Sequence, residues 1–203
     1  GGSYSYTFTA PPAGTYLFYD SLSPVHRSMG LYGAMVVAPA DGSRRLWAGG
    51  PAYDAQYLWL VSSLDEVWNR AAAAGKPVDT KQYRPNYFLL NGKGGGEGDH
   101  AGLTTLMVHG QVGQTMLIRR ANASLVPHAL HYHGFHFREV TRNGQALQHP
   151  RLKDTSLLRP LDTADILITF DQPGHYPVHD HILMAATANG SYPNGIMAML
   201  AAE

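Results

Sequence analysis

Histidine spacing is the feature of this sequence best suited to chemistry. The chain of 203 residues carries 11 His and no Cys. Its densest run is His128-Ala129-Leu130-His131-Tyr132-His133-Gly134-Phe135-His136, and a second pair stands in His179-Asp180-His181. His131 and His133 are two apart, so on a strand both imidazoles project from one face, and the same holds for His179 and His181. Two such pairs on different strands could converge on one metal or on neighbouring metals, and imidazole clusters suit Cu, Zn, Fe or Ni. A single His-x-His reads as surface histidine. Two pairs, one extended to His-x-x-His-x-His by His128, read as metal ligation. His26, His100, His109, His149 and His175 stand alone and read as solvated or structural. The absence of Cys excludes disulfides and thiolate ligation, and it is compatible with either redox environment.

Strands must position these side chains, and the coarse pattern is all-β. Tyr4 to Thr9 alternates aromatic with small polar residues, the period of a half-buried strand. Thr15 to Tyr19 and Leu31 to Val37 follow as β-rich runs, and Leu46 to Pro51 ends in a Gly-Gly-Pro break that reads as linker. Tyr53 to Val61 opens a second unit, Leu64 to Ala74 has helical composition, and Tyr87 to Leu90 is a further strand. Gly92 to Gly98 reads as a flexible glycine-rich loop. Strands are then expected at Gln114 to Arg120, Leu130 to Arg142, Asp165 to Phe170, Tyr176 to His181 and Ile196 to Ala201, with Asn143-Gly144 as a hairpin turn. Short strands and frequent turns point to an antiparallel sandwich.

The bulk properties narrow the partners. A net charge of zero with histidine neutral gives no reason to expect nucleic acid or an anionic membrane surface. No apolar run approaches the roughly 18–20 residues of a membrane span. The chain opens Gly1-Gly2-Ser3 without an initiator Met or a signal-peptide pattern, so a processed or partial chain is expected. No Ser-His-Asp arrangement, phosphate loop or paired-carboxylate site competes with the histidines.

Several segments resemble the multicopper oxidase family. Val126 to Val140 resembles its His-Pro-x-His-Leu-His-Gly segment, and Pro173 to Met197, PGHYPVHDHILMAATANGSYPNGIM, resembles its terminal PGxWxxHCHIxxHxxxGGM. Gly14 to Pro39, with GTYLFYDS and GLYGAMVVAP, resembles the end of a preceding domain. Tyr53-Asp54, PNYFLLNGK from Pro85 to Lys93, and Lys153-Asp154-Thr155 resemble parts of the last domain. The resemblance implies a Greek-key cupredoxin-like β-sandwich over residues 53–203, a linker at 41–52, and the C-terminal part of a first cupredoxin domain at 1–40. It looks like the two-domain, laccase-like oxidases, which usually form homotrimers with a copper cluster between subunits. By resemblance, then, the cofactor is copper, the partner is a second copy or a homologous oxidase subunit, and the location is periplasmic or extracellular.

The pattern also breaks. The resemblance places His131, His133, His179 and His181 at cluster-ligand positions, but Asp20 and Leu22 stand where the preceding domain should carry two histidines. Of the blue, type 1 site, His128 keeps one position. Asp180 stands at the Cys, Ala185 at the second His, and Ile196 or Met197 at the axial Met. Without thiolate there is no blue copper. Strand alternation turns Asp180 away from its flanking histidines, to pair with His128 or join it in a hard N/O metal site. Met184, Met197 and Met199 read as core. Two functions remain open: an oxidoreductase using residual copper at the four paired histidines, or a non-catalytic structural or partner-binding subunit. A zinc-binding or copper-storage module is a weaker third.

Overall fold

Apolar residues recurring two apart fold into facing sheets in the computed structural model, which describes residues 2–95 and 106–203. Met116 and Ile118, Ile166 and Ile168, and Leu130 and Tyr132 are each at most 1% exposed and share one core. Burial of one face per strand across two sheets is the physical basis of a β-sandwich.

The chain begins with a hairpin, β1 (Gly14–Tyr19) against β2 (Tyr32–Val37), with helix α1 (Pro24–Ser28) between them. β3 (Ala55–Leu64), helix α2 (Glu66–Ala73), β4 (Tyr87–Leu90), β5 (Val108–Gly110) and β6 (Thr115–Asn122) follow. β7 (His128–Tyr132), β8 (Phe137–Arg142), β9 (Gln145–Lys153) and β10 (Thr155–Leu158) come next. β11 (Thr163–Thr169), β12 (Gly174–Asp180), a 3-10 turn at Leu183–Ala186 and β13 (Met197–Ala202) complete the order. Six strands make one sheet, β4-β3-β6-β11-β8-β9, and five make the other, β10-β7-β12-β13-β5. The architecture is the expected all-β, cupredoxin-like sandwich.

Local expectations fail in two places. Tyr4 to Thr9 forms no strand; Tyr4, Tyr6 and Phe8 are 80%, 82% and 66% exposed, so nothing here completes the sheet their alternation anticipates. Leu130 to Arg142 is two strands in different sheets. Gly134, at φ 74°, breaks it, and a Cβ there would lie 2.1 Å from Tyr176 Cδ1, so the chain leaves one sheet and enters the other at a residue only glycine fits. In the Leu46 to Pro51 segment, Leu46 is 1% exposed and clusters with Leu117, Val140 and Leu167. Of the Gly92 to Gly98 loop, positions 96–98 lie outside the described residues, as does His100. The Asn143-Gly144 turn forms with both φ positive, 50° and 74°, as a tight hairpin requires.

Charged residues fasten the hairpin to the sandwich. Thr15 Oγ1 donates to Asp165 Oδ1 at 2.6 Å and accepts from Arg119 Nη1 at 3.0 Å. Thr141 Oγ1 donates to Asp165 Oδ2 at 2.7 Å, and Arg119 Nε donates to Gln56 Oε1 at 2.9 Å. Arg119 and Asp165 are each 1% exposed, so this network works without solvent. On the core side of the same strand, Arg120 meets Glu139 at 3.3 Å, and Arg142 joins Glu139 to Asp162.

Asp165→Ala should leave Arg119 buried without its carboxylate and destabilise the chain by about 3–5 kcal/mol, read as a lowered denaturation midpoint. A second expectation concerns acid. Burial pushes the Glu139 pKa up, but Arg120 and Arg142 outweigh it and hold the carboxyl below its ordinary value. A depressed folded pKa gives stability that is complete above the unfolded value, about 4.3, and is lost as pH falls through the folded one. Unfolding curves at descending pH should show that loss, and Glu139→Gln should flatten it.

Candidate metal centre

The register of two strands gathers the four paired histidines. β7 lies between β10 and β12, with His131 directly opposite both Thr155 and His179. His133 and His181 each lie just beyond a strand end, but His133 N donates to Pro177 O at 3.1 Å and His181 N to Ala129 O at 2.7 Å. Those bonds carry the alternation one residue further, so all four imidazoles emerge on the outer face of the five-stranded sheet. Ring centroids of His131 lie 4.8, 5.6 and 5.4 Å from those of His133, His179 and His181.

Hydrogen bonds decide which nitrogens face outward. His131 Nδ1 is bonded to Thr155 Oγ1 at 2.8 Å, leaving Nε2 to point at its neighbours. His179 Nδ1 donates to Asp180 O at 3.1 Å, which fixes the tautomer and puts a lone pair on Nε2. That Nε2 sits 3.0 Å from His133 Nε2. With that tautomer, His133 Nε2–H donates to His179 Nε2, and an ion held by the two rings would take the place of this proton. Partial burial, then the charges of His131, His179 and His181, push the His133 pKa down and favour its neutral, ligating form. Among the described residues no group of three or more His, Cys, Asp or Glu is gathered to hold an ion as it stands. The four rings form an open cluster of suitable donors, with one pair in hydrogen-bond contact and a face exposed to solvent.

The opposite face carries the residues between the pairs. Tyr132 stacks on Trp59, centroids 5.8 Å apart, and burial pushes its hydroxyl up to about 12. Asp180 and His128 are both fully buried, and His128 Nδ1 meets Asp180 Oδ2 at 2.6 Å. This is the pairing the alternation anticipates. A blue copper centre does not fit: no thiolate exists, the His128 Nδ1 is committed to a carboxylate, and the neighbouring family positions are buried Ala185 and Ile196.

Other candidates fall in different places. Met184 is 67% exposed rather than core. Met197 and Met199 are half-buried on the histidine-bearing face, opposite His179 and Pro177 on β12. Leu157, Ile182 and Leu183 are also exposed beside the histidines, so the centre has an apolar rim. His26 is not solitary: its Nδ1 lies 2.9 Å from Asp20 Oδ2. The sequence reading also passed over Thr155 as the orienting partner of His131, although its place in the Lys-Asp-Thr motif was the available signal.

A family model described as multicopper oxidase matches residues 76–192, more than half of the chain. The copper-containing nitrite reductase of Alcaligenes xylosoxydans xylosoxydans is 28% identical over 201 residues, covering 91% of this chain and 58% of that protein. Laccase-12 of Arabidopsis thaliana is 26% identical over 175 residues, 85% of this chain and 30% of that one. Among solved structures, the blue copper oxidase from Nitrosomonas europaea superposes with a TM-score of 0.82 at 24% identity, covering all of this chain and 60% of that chain. The chain thus spans 60% or less of the length of these relatives. The family-model match covers both histidine pairs, and this chain belongs to the multicopper oxidase family.

Proposed function

We propose that this chain binds copper at His131, His133, His179 and His181, and that any redox activity it has runs through that centre without a blue copper site. The observation that carries the reading is the 3.0 Å approach of His133 Nε2 to His179 Nε2, with His131 and His181 close by. Copper held there would supply one-electron redox chemistry and a Lewis-acid position for a small ligand. The chain's own residues prepare for it. Thr155 turns His131 Nε2 outward, the Asp180 carbonyl fixes the tautomer of His179, and burial together with the neighbouring rings favours the neutral form of His133.

The open cluster and the exposed apolar residues around it suit closure by a second surface, either another copy, as in a trimer, or a homologous oxidase subunit. No helix among the described residues is long and apolar enough to cross a membrane, and by family a periplasmic or extracellular location is proposed. A second reading, the non-catalytic subunit, is favoured by one observation: Asp180, bonded to His128, stands where a thiolate would carry electrons. On the first reading an external donor supplies the electrons.

Copper loading, removal of excess and EPR test the proposal. Retained copper with a type 2 spectrum and no intense blue absorption is expected, lost in His131→Ala and His179→Ala. A folded chain that retains no copper would leave the non-catalytic reading. Thr155→Val should keep the fold but weaken copper binding about tenfold, the scale of losing a ligand's orienting partner, as measured by competition with a chelator.

A further inference from the structure

We infer that Asp180 and His128 form a metal-independent clamp that positions the two histidine-bearing strands. It does mechanically, through protein hydrogen bonds, what a metal–thiolate bond would otherwise do at this place. The inference rests on the copper reading only where it speaks of the ligands.

The carboxylate contacts three residues in two other segments. Its Oδ2 meets His128 Nδ1 at 2.6 Å, and its Oδ1 accepts from Ala129 N at 3.2 Å and from Ile182 N at 2.9 Å. It therefore ties the end of β12 to the start of β7 and to the turn that follows His181. Position 180 lies between His179 and His181, and His128 begins the strand that ends one residue before His133. Displacing this carboxylate would move both pairs relative to each other.

Charge and burial separate a clamp from a metal site. Both side chains are fully buried, and the carboxylate is already bonded at both oxygens. The residues that would have to add donors, Ala185 and Ile196, are apolar and 1% exposed. Among the described residues His128 Nε2 is buried without a hydrogen-bond partner, with Phe88 edge-on to the ring at 6.0 Å. That nitrogen points away from the carboxylate, so the two groups cannot grip one ion while the Nδ1 contact stands.

The same device occurs a second time, independently. Asp20 Oδ1 accepts from Leu22 N, two residues on, at 2.7 Å, while Oδ2 meets His26 Nδ1 at 2.9 Å. Asp180 uses Ile182 N and His128 Nδ1 in the same way. In both places a carboxylate at or just beyond a strand end joins the next turn to an imidazole.

The test compares wild type, Asp180→Asn and Asp180→Ala in four measurements: copper stoichiometry, copper affinity, the EPR spectrum, and amide hydrogen exchange at Ala129 and Ile182 in chelator-treated protein. Asparagine can still accept from the two amides and donate to His128, so Asp180→Asn should match wild type in stoichiometry and exchange protection, with affinity within about threefold. Asp180→Ala should bind the same number of ions about tenfold more weakly, with a broadened spectrum and lost protection at both amides. If Asp180→Ala does not fold, the double variant His128→Leu with Asp180→Val removes both partners and leaves neither charge unpaired; weakened copper binding is expected there too. Loss of one copper equivalent in Asp180→Asn would make the pair a metal site and overturn the clamp. So would unchanged affinity and spectrum in a folded variant lacking both groups. Should wild type bind no copper, the copper reading fails, and the exchange data alone decide the clamp: unprotected amides in wild type overturn it.

Discussion

Antiparallel pairing of β7 with β12, in the register that sets His179 opposite His131, is the constraint from which the rest of the site follows. Side chains alternate across a strand, so one register fixes two surfaces. Outward it assembles four imidazoles; inward it sends Leu130, Tyr132, Val178 and Asp180 into the sandwich. A slip of one residue would expose the core residues and bury the histidines. The register is held from below by burial of those apolar side chains, worth about 1.5–3 kcal/mol each, and by the Asp180 carboxylate.

The interior contains more charge than a sandwich of this size needs for cohesion. Arg119, Arg120, Asp165 and Asp180 are each at most 1% exposed. Buried ion pairs add little net stability, but an unpaired survivor is expensive. They act here as fasteners that tolerate one arrangement: Arg119 and Asp165 seat the hairpin through Thr15, and Asp180 sets β12 against β7 through His128. Arg120 also acts on the buried Tyr132 hydroxyl, and both lie in the interior with His128.

On the proposed copper reading, a chain without cysteine divides two roles that the family's blue-copper pattern combines. Imidazole nitrogens suffice to hold a metal, whereas rapid electron entry through position 180 would need the sulfur that Asp180 lacks. What remains is a ligand surface, open on one side and rimmed by Leu157, Ile182, Leu183 and Met184.

Much of this was legible in the sequence because the deciding signals are local. Period-two spacing placed each histidine pair on one face and turned Asp180 away from it, and Asn143-Gly144 announced its hairpin, since these follow from backbone geometry alone. The segment motifs carried the family and the sandwich. The sequence could not show that β7 and β8 belong to different sheets, because Gly134 acts through a clash with Tyr176, 42 positions away. Nor could it show that Thr155 orients His131 or that His26 has a partner in Asp20, because both depend on pairings formed only in three dimensions. The sequence by itself determined which residues can ligate and which face each occupies. Only the tertiary structure decided which nitrogens remain free and how far apart they stand, because those depend on strand register and on hydrogen bonds between distant segments.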